Sequence, residues 1–161
     1  MADEIMRARE GRLARRAAER GPVREFLAFT LAGELYGIEL TRIREILSPP
    51  PITYVPRAAS DVIGVCSVRG LLITVIDLRR RMSLEERPPT RRSRILLTQT
   101  DSGEVLGLYV DEVRQVMRLL ETEIEVATSI LGGDVSEHVL GIGRPAGLVL
   151  VLLDLSSIVT S

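Results

Sequence analysis

The side chains that could support catalysis are few and lie far apart in the sequence. The one histidine, His138, stands in a polar stretch with no second histidine and no cysteine near it, and the one cysteine, Cys66, lies in an apolar run. A metal centre or a histidine-activated nucleophile needs several such groups together. We therefore expect no enzyme, no metal and no cofactor. We expect His138 to be a surface or capping residue and Cys66 to be a small buried one.

Two aspartates could be taken for a carboxylate pair. Asp77 and Asp154 each follow an apolar run, and each precedes a leucine and a short polar stretch. This is the position of a helix N-cap, where the side chain accepts a backbone N–H. We therefore predict a structural role for both.

The stretch from Arg79 to Arg94 is the only locally basic one. It holds the run Arg79–Arg81 and four further arginines, interrupted by Glu85 and Glu86. Such a patch could contact phosphates or an anionic surface. Aromatic residues make up only 3% of the chain, which leaves few rings on which bases could stack. A solvated crossover between two halves of the molecule is the favoured interpretation.

The bulk composition indicates an ordinary globular protein. The 161 residues are 45% hydrophobic and 27% charged, with 21 basic against 22 acidic side chains, so neither a disordered chain nor a polyanion binder is favoured. No apolar run approaches the roughly 20 residues that a membrane-spanning helix needs. We expect a cytoplasmic protein with no direct membrane insertion.

The chain repeats itself. Glu34 to Leu47 matches Glu104 to Met117, and Val62 to Met82 matches Val139 to Val159, in the same order and with nearly equal offsets. A tandem duplication with one loop insertion explains both matches. We therefore predict two similar halves, with positions that differ between them as candidates for function.

The elements predicted in each half are mostly strands. Alternating apolar residues and tight turns containing glycine predict four β-hairpins. Their strands are expected at 25–31 with 35–39, 62–68 with 71–76, 95–100 with 105–110, and 139–142 with 148–153. Short strands with few helices favour a mainly β protein of two small barrels, which would remove exposed sheet edges.

One short helix is predicted in each half. Thr41 could cap a helix that contains Ile43 and ends before Pro49–Pro51, and Asp111 could cap the equivalent stretch Glu112–Met117. Both stretches have apolar residues three and four positions apart.

The domain boundaries follow from composition. Residues 1–22 are rich in arginine, alanine and glutamate and predict a mobile or loosely helical leader. Residues 23–161 form the folded domain, with subdomains expected at about 23–89 and 90–161. Strands at this boundary could pair with either sheet.

The two halves differ by one charge at a predicted hairpin tip. Arg69 precedes Gly70, whereas Ala146 precedes the equivalent Gly147. An exposed arginine is usually only solvated. On a fold without catalytic groups, however, a guanidinium present in one half alone is a candidate recognition anchor.

At these residues the chain resembles the CheW family of chemotaxis coupling proteins. Its signature EFLxFxLxxxxYGIxxxxxxEI matches Glu25–Ile46, and the part GVxNLRGxxxPxxDLR of its second signature corresponds to Gly64–Arg79, with Ser67 and Thr74 in place of the usual Asn and Pro. The resemblance runs to Val159.

The resemblance implies a mainly β fold of two pseudo-symmetric five-stranded, SH3-like barrels with short helices and a shared apolar seam. It also implies a non-catalytic adaptor without cofactors. Its partners would be the regulatory domain of a CheA-type histidine kinase and the cytoplasmic tip of methyl-accepting chemoreceptors, and nucleic acid would not be a partner. Through these partners the protein would be associated with membrane receptor arrays.

The resemblance also implies which residues bind protein. Glu45 and Arg69 are expected to pair beside a groove that accepts an apolar receptor hairpin. The residues expected at this surface are Ile43, Glu45, Gly64 and Arg69 from the first half, with Val113 and Val116 as contributors from the second.

Two other functions stay open at this point. The chain could bind nucleic acid or another anionic surface through Arg79 to Arg94, or it could bind a small molecule in the seam between the two halves.

Overall fold

The computed structural model describes residues 1–19, 21–126 and 137–159 of the chain. Within these ranges the chain forms eleven strands and three α-helices. The strands are β1 (Val23–Leu31), β2 (Glu34–Glu39), β3 (Ile43–Leu47), β4 (Val62–Val68), β5 (Leu71–Asp77), β6 (Arg94–Gln99), β7 (Val105–Val110), β8 (Glu112–Leu120), β9 (Glu125–Val126), β10 (Val139–Gly143) and β11 (Leu150–Leu153). The helices are α1 (Ala2–Glu19), α2 (Leu78–Arg81) and α3 (Leu155–Val159).

The strands form two sheets, so the mainly β prediction is confirmed. One sheet has six strands in the order β8-β1-β2-β11-β10-β9, and the other has five in the order β3-β6-β7-β5-β4. The six-stranded sheet exceeds the predicted five by the two-residue strand β9. Closure of either sheet into a barrel stays a prediction.

Each sheet takes strands from both halves of the sequence. The hairpin β1–β2 joins the second half through a parallel pairing of β2 with β11, and the hairpin β6–β7 joins the first half through a parallel pairing of β7 with β5. These two pairings are equivalent under the internal repeat. The halves therefore exchange their first hairpins, which fuses them into one unit.

The four predicted hairpins are all present, as antiparallel pairs β1–β2, β4–β5, β6–β7 and β10–β11. Strand β1 shows why these segments are so apolar. Phe26 and Ala28 are buried on one side of the strand, and Leu27, Phe29 and Leu31 are buried on the other. Because both faces of the strand are covered, its apolar residues are nearly continuous.

Three apolar clusters stabilise the domain. A central cluster draws on both sheets and includes Phe29 and Ile38 from one and Leu96 and Leu108 from the other. A second cluster lies within the six-stranded sheet, and a third, around Val75, lies within the five-stranded sheet. The central cluster is the apolar seam that the resemblance implied.

Both short helices predicted in the repeats are wrong. Residues Ile43–Leu47 form strand β3, after a single 3₁₀ turn at Leu40–Arg42, and Glu112–Leu120 form strand β8. Each strand has a bulge at the same place, between Ile43 and Glu45 in one and opposite Leu27 and Phe29 in the other. Because of the extra residue, apolar side chains on one face recur after three or four residues instead of after two. This is the spacing of an amphipathic helix.

Of the predictions made for single residues, those for Cys66 and Asp77 are confirmed and that of a surface position for His138 is wrong. Cys66 is buried and unpaired, and the Asp77 side chain accepts the N–H of Arg79 at 3.0 Å as the N-cap of α2, both as predicted. The surface position predicted for His138 is wrong. Its ring is buried, with Nδ1 2.8 Å from the hydroxyl of Ser157, because α3 packs back against the start of β10.

The leader forms the helix α1, in which residues 1–12 are exposed. No helix among the described residues has both the length and the apolar character that crossing a membrane requires. Within the same ranges, no group of three or more histidine, cysteine and carboxylate side chains is placed to hold a metal ion.

Candidate protein-docking site

The candidate site begins at the tight turn between β4 and β5. Arg69 and Gly70 occupy its two central positions with φ values of 51° and 83°. Positive φ at both positions is typical of the two-residue turn that matches the twist of a β-hairpin. The turns at Ala32–Gly33 and Ala146–Gly147 have nearly the same values. Alanine is therefore compatible with the conformation of Arg69, and the arginine side chain is not required by the turn.

Glu45 reaches the site from strand β3. The bulge at Arg44 and Glu45 changes the direction of the side chains along this short strand. Ile43 packs against the central cluster before the bulge, and Leu47 packs against the cluster within the five-stranded sheet after it. Glu45 lies at this change of face, with its side chain 30% exposed.

Glu45 and Arg69 form the predicted ion pair. Arg69 donates from Nη1 to Glu45 Oε2 at 2.7 Å and from Nη2 to Oε1 at 2.5 Å. Two parallel hydrogen bonds hold the planar guanidinium in one orientation, which a lysine could not do. The hydrogen bonds and the charge of Glu45 raise the pKa of Arg69 above its ordinary value.

The pair joins opposite edges of the five-stranded sheet. Glu45 lies on β3 at one edge, and Arg69 directly follows β4 at the other. In a flat sheet these edges would be separated by four strand spacings of about 4.8 Å each, or about 19 Å. The sheet is therefore strongly curled, and the ion pair lies across its open end.

An apolar groove of about 290 Å³ opens beneath the pair. Its lining residues are Arg44, Glu45, Val68, Arg69, Leu71, Ile73, Leu97 and Val105. One large apolar side chain of the lining is strongly exposed: Leu71 is 64% exposed. An apolar groove with an exposed leucine beside a fixed guanidinium is typical of a protein-binding surface.

The second half has an equivalent groove without the ion pair. It has a volume of about 640 Å³ and is lined by Thr30, Gly33, Leu35, Glu112, Val113, Arg114, Gln115, Met117 and Leu148. The repeat places Gln115 where the first half has Glu45, and Ala146 where it has Arg69. Both partners of the ion pair are thus replaced in the second half, and the pair is present in the first half alone.

The structure separates the remaining residues of the predicted site. Ile43 is half-buried against the central cluster. Gly64 is buried in β4, where a Cβ would lie 2.1 Å from the carbonyl oxygen of Thr53. The backbones of Thr53 and Val65 exchange hydrogen bonds of 2.8 and 2.9 Å at this point. Gly64 therefore permits the close approach of two chain segments and lines neither groove.

Val113 and Val116 lie on β8 of the other sheet. Val113 packs against the central cluster and lines the second groove, whereas Val116 is 43% exposed. Neither lines the groove beneath Glu45 and Arg69. The predicted site is thus divided between two surfaces, one in each half.

The arginines of the crossover are mostly paired. Arg79 is buried and binds Asp111, Arg81 binds Asp61 at 2.8 Å, and Arg80 lies 3.1 Å from Glu86. Arg92 has a longer contact of 3.4 Å with Glu112. Because carboxylates within the domain neutralise much of this charge, the crossover is not a continuous basic surface.

Sequence reasoning missed two features of the site. It did not single out Leu71, which directly follows the turn and is exposed in the groove although it belongs to an apolar strand. It also missed the replacement of Glu45 by Gln115. The repeat contained that signal, since the offset that aligns the two glycine-containing strands also aligns these two residues.

Comparison with known proteins shows which family the chain belongs to. The model of the CheW-like domain family matches residues 25–161. The chemotaxis protein CheW of Klebsiella aerogenes is 27% identical over 85% of this chain and 82% of its own, and the protein FrzA of Myxococcus xanthus is 32% identical over 81% of each. The crystal structure of the scaffolding protein TtCheW from Thermoanaerobacter tengcongensis superimposes with a TM-score of 0.79 at 27% identity, over 87% of this chain and 94% of that one. The chain therefore belongs to the CheW-like domain family.

Proposed function

We propose that this protein is a non-catalytic adaptor that couples methyl-accepting chemoreceptors to a CheA-type histidine kinase in a cytoplasmic chemosensory array. The observation that carries the proposal is the Glu45–Arg69 pair, held across an apolar groove in one half of a protein of the CheW-like family. The groove would receive an apolar receptor hairpin, and Arg69 would bind a polar group on that hairpin.

The exposure of the pair supports a role in recognition rather than in stability. The side chain of Arg69 is 74% exposed, and exposed ion pairs contribute little to folding. A guanidinium whose orientation is already fixed loses less freedom on binding, however, so its contacts add more to affinity. The exposed Leu71 supplies apolar area next to it.

The pseudo-symmetric second groove supports an adaptor with two partners. Its shape and chemistry differ from those of the first because Gln115 and Ala146 replace the ion pair. Two different surfaces on one domain allow one protein to contact a receptor and a kinase together. Signal transmission then requires only that these contacts favour one state of a partner, and a coupling of about 1 to 3 kcal/mol is typical.

The test is a titration of the purified chain against a chemoreceptor tip fragment and against a kinase regulatory domain from the same source. Wild type is expected to saturate both. Arg69→Ala is expected to weaken at least one of them by about fivefold or more. Arg91→Ala, an exposed arginine outside the groove, is the matched control and should bind as wild type does.

The variant should fold normally, because alanine already occupies the equivalent position in the turn at Ala146. A melting temperature equal to that of wild type would confirm this. Unchanged affinity of Arg69→Ala for both partners would overturn the role of the pair, and failure of wild type to bind either partner would overturn the adaptor itself.

A further inference from the structure

A polar cleft lies on the side of the domain where the crossover passes β8. It has a volume of about 280 Å³ and shares no lining residue with the groove beneath Glu45 and Arg69, but it adjoins the groove of the second half, with which it shares Thr30, Gly33, Glu112 and Arg114. Its lining residues are Thr30, Gly33, Arg79, Arg87, Pro88, Thr90, Arg92, Ser93, Asp111, Glu112 and Arg114. Four of these side chains are arginines and two are acids, so the lining carries two positive charges in excess.

The arginines of the cleft are not equally neutralised. Arg79 is fully occupied at the floor, where it binds Asp111 and donates to the carbonyl oxygen of Glu85 at 2.8 Å. Arg87, by contrast, makes no ion pair with any residue that the structure describes. Its positive charge still acts on the nearby Asp111 carboxylate, which Arg79 already neutralises, so Arg87 is the least neutralised arginine of the cleft.

One carboxylate serves the other two arginines. Glu112 Oε2 lies 3.4 Å from Nη1 of Arg92, and its Oε1 lies 3.8 Å from Nε of Arg114. Both contacts are longer than a good hydrogen bond, and the side chains of Arg92 and Arg114 are 76% and 54% exposed. A more highly charged oxyanion could bind both guanidiniums, and only these weak contacts with Glu112 would be lost.

Two hydroxyl groups add unused donors. Ser93 is buried, and its Oγ accepts the N–H of Thr90 at 2.9 Å. The Oγ1 of Thr90 accepts the N–H of Arg92 at 3.1 Å. Both hydroxyls thus act as acceptors, and neither donates its own hydrogen to a residue that the structure describes. A buried hydroxyl normally finds an acceptor, which an anion in the cleft would provide.

We propose that this cleft binds a doubly charged phosphate group, with Arg87 as its main charged ligand and with Arg92 and Arg114 closing on it. Guanidiniums and hydroxyls are suited to phosphate oxygens, and the excess of two positive charges matches the charge of a phosphate monoester. Phosphate carried by a molecule or side chain fits better than a lone ion, since the volume is near the lower end of small-molecule sites.

The experiment is a titration of the full chain, followed by the NMR shifts of backbone amides, in phosphate-free buffer at constant ionic strength. The probes are inorganic phosphate and phosphoserine blocked at both ends, with blocked serine as the uncharged comparison. Binding should shift the amides of Thr90 and Ser93. A preference for blocked phosphoserine identifies a phosphorylated residue as the ligand, and equal affinity identifies the free ion.

Three substitutions test the assignment, and they are expected to weaken phosphate binding, to strengthen it and to leave it unchanged. Arg87→Gln should weaken binding of the better probe by about tenfold, because one charged hydrogen-bond donor is lost. Glu112→Gln should tighten binding, because it releases Arg92 and Arg114. Arg91→Gln removes the same charge from the same loop outside the cleft and should change nothing.

Equal weakening by Arg87→Gln and Arg91→Gln would show only nonspecific attraction and would overturn the proposal. So would unchanged or weaker binding by Glu112→Gln, or no amide shift with either probe. The substituted side chains are exposed or half-buried, and equal melting temperatures of the variants would show that the fold is retained.

Discussion

The buried Arg79 and the half-buried Asp111 form an ion pair that ties the two sheets together. Arg79 donates from Nε to Asp111 Oδ1 at 2.7 Å and from Nη2 to Oδ2. The same carboxylate accepts the N–H of Ala32 at 2.8 Å, in the turn between β1 and β2. Arg79 follows the five-stranded sheet and Ala32 belongs to the six-stranded one, so Asp111 connects elements of both.

Loss of this pair should destabilise the domain. Arg79→Met keeps much of the side-chain volume but leaves the Asp111 carboxylate with only the N–H of Ala32. Breaking a fully buried pair on one side typically costs about 3 to 5 kcal/mol, and the partial exposure of Asp111 reduces the expected cost to about 2 kcal/mol. Urea unfolding should show a decrease of this size in the free energy of unfolding.

Arg91→Met is the control for that substitution, since Arg91 is exposed in the same crossover, and it should change stability by less than about 0.5 kcal/mol. A double-mutant cycle with Asp111→Asn should give a coupling energy of about 1 kcal/mol or more. Strict additivity of the two substitutions would contradict the assignment.

The same pair makes stability depend on pH. Burial acts to raise the pKa of Asp111, but the hydrogen bonds from Arg79 and Ala32 and the positive charges of Arg79 and Arg87 outweigh it. The pKa therefore lies below its ordinary value. A depressed pKa in the folded state stabilises the fold above the ordinary aspartate pKa of about 3.9 and loses this effect as the pH falls further.

Asp111→Asn should therefore lower the free energy of unfolding by about 2 kcal/mol at pH 7, and by less at pH 3. Urea unfolding of both proteins between these pH values measures the difference. Asp77, whose pKa is raised by burial, acts in the opposite direction, but it is present in both proteins and largely cancels. A difference that stays constant with pH would contradict the role of the Asp111 charge.

The affinity of the groove for its partner should depend on the orientation of the Glu45–Arg69 pair, not only on the presence of an ion pair. Exchanging the two residues, as Glu45→Arg with Arg69→Glu, restores an ion pair but moves the guanidinium to the opposite edge of the sheet. We expect the exchanged protein to fold as wild type does and to bind its partner as weakly as Arg69→Ala does. Calorimetric titration and a melting curve provide both readings, and full recovery of binding would mean that only the link between the edges matters.

Gly64 should affect stability before it affects binding. In Gly64→Ala the new Cβ would meet the carbonyl oxygen of Thr53, which is held by the backbone bridge to Val65. We expect a loss of about 3 kcal/mol in the free energy of unfolding. Gly11→Ala is the control, because nothing lies within 4 Å of a Cβ at that position. A stable Gly64→Ala variant that fails to bind would instead place Gly64 in the docking surface itself.

Much of the architecture could be predicted from the sequence, because local patterns dictate it. Alternating apolar residues and tight turns containing glycine specify the four hairpins, and these signals need no knowledge of distant contacts. The internal repeat predicted the two similar halves. The pairing of Glu45 with Arg69 was correctly expected from the family resemblance, although 24 residues separate them in the sequence.

The prediction failed where distant strands decide the local structure. Strands β3 and β8 were predicted as helices because a bulge in each gives its apolar residues a helical spacing. Their backbones are strands because β6 and β1 supply hydrogen bonds along their length, and a helix of one or two turns has no comparable source of stability.

The remaining features exist only in the folded chain. The sequence determined the four hairpins, their turns and which half carries the guanidinium of Arg69. Only the tertiary structure decided that the halves exchange their first hairpins, that the five-stranded sheet curls enough for Glu45 to reach Arg69, and that Arg79 lies buried beside Asp111. Each of these depends on contacts between segments far apart in the sequence, and local sequence patterns carry no information about which distant partner a segment will find.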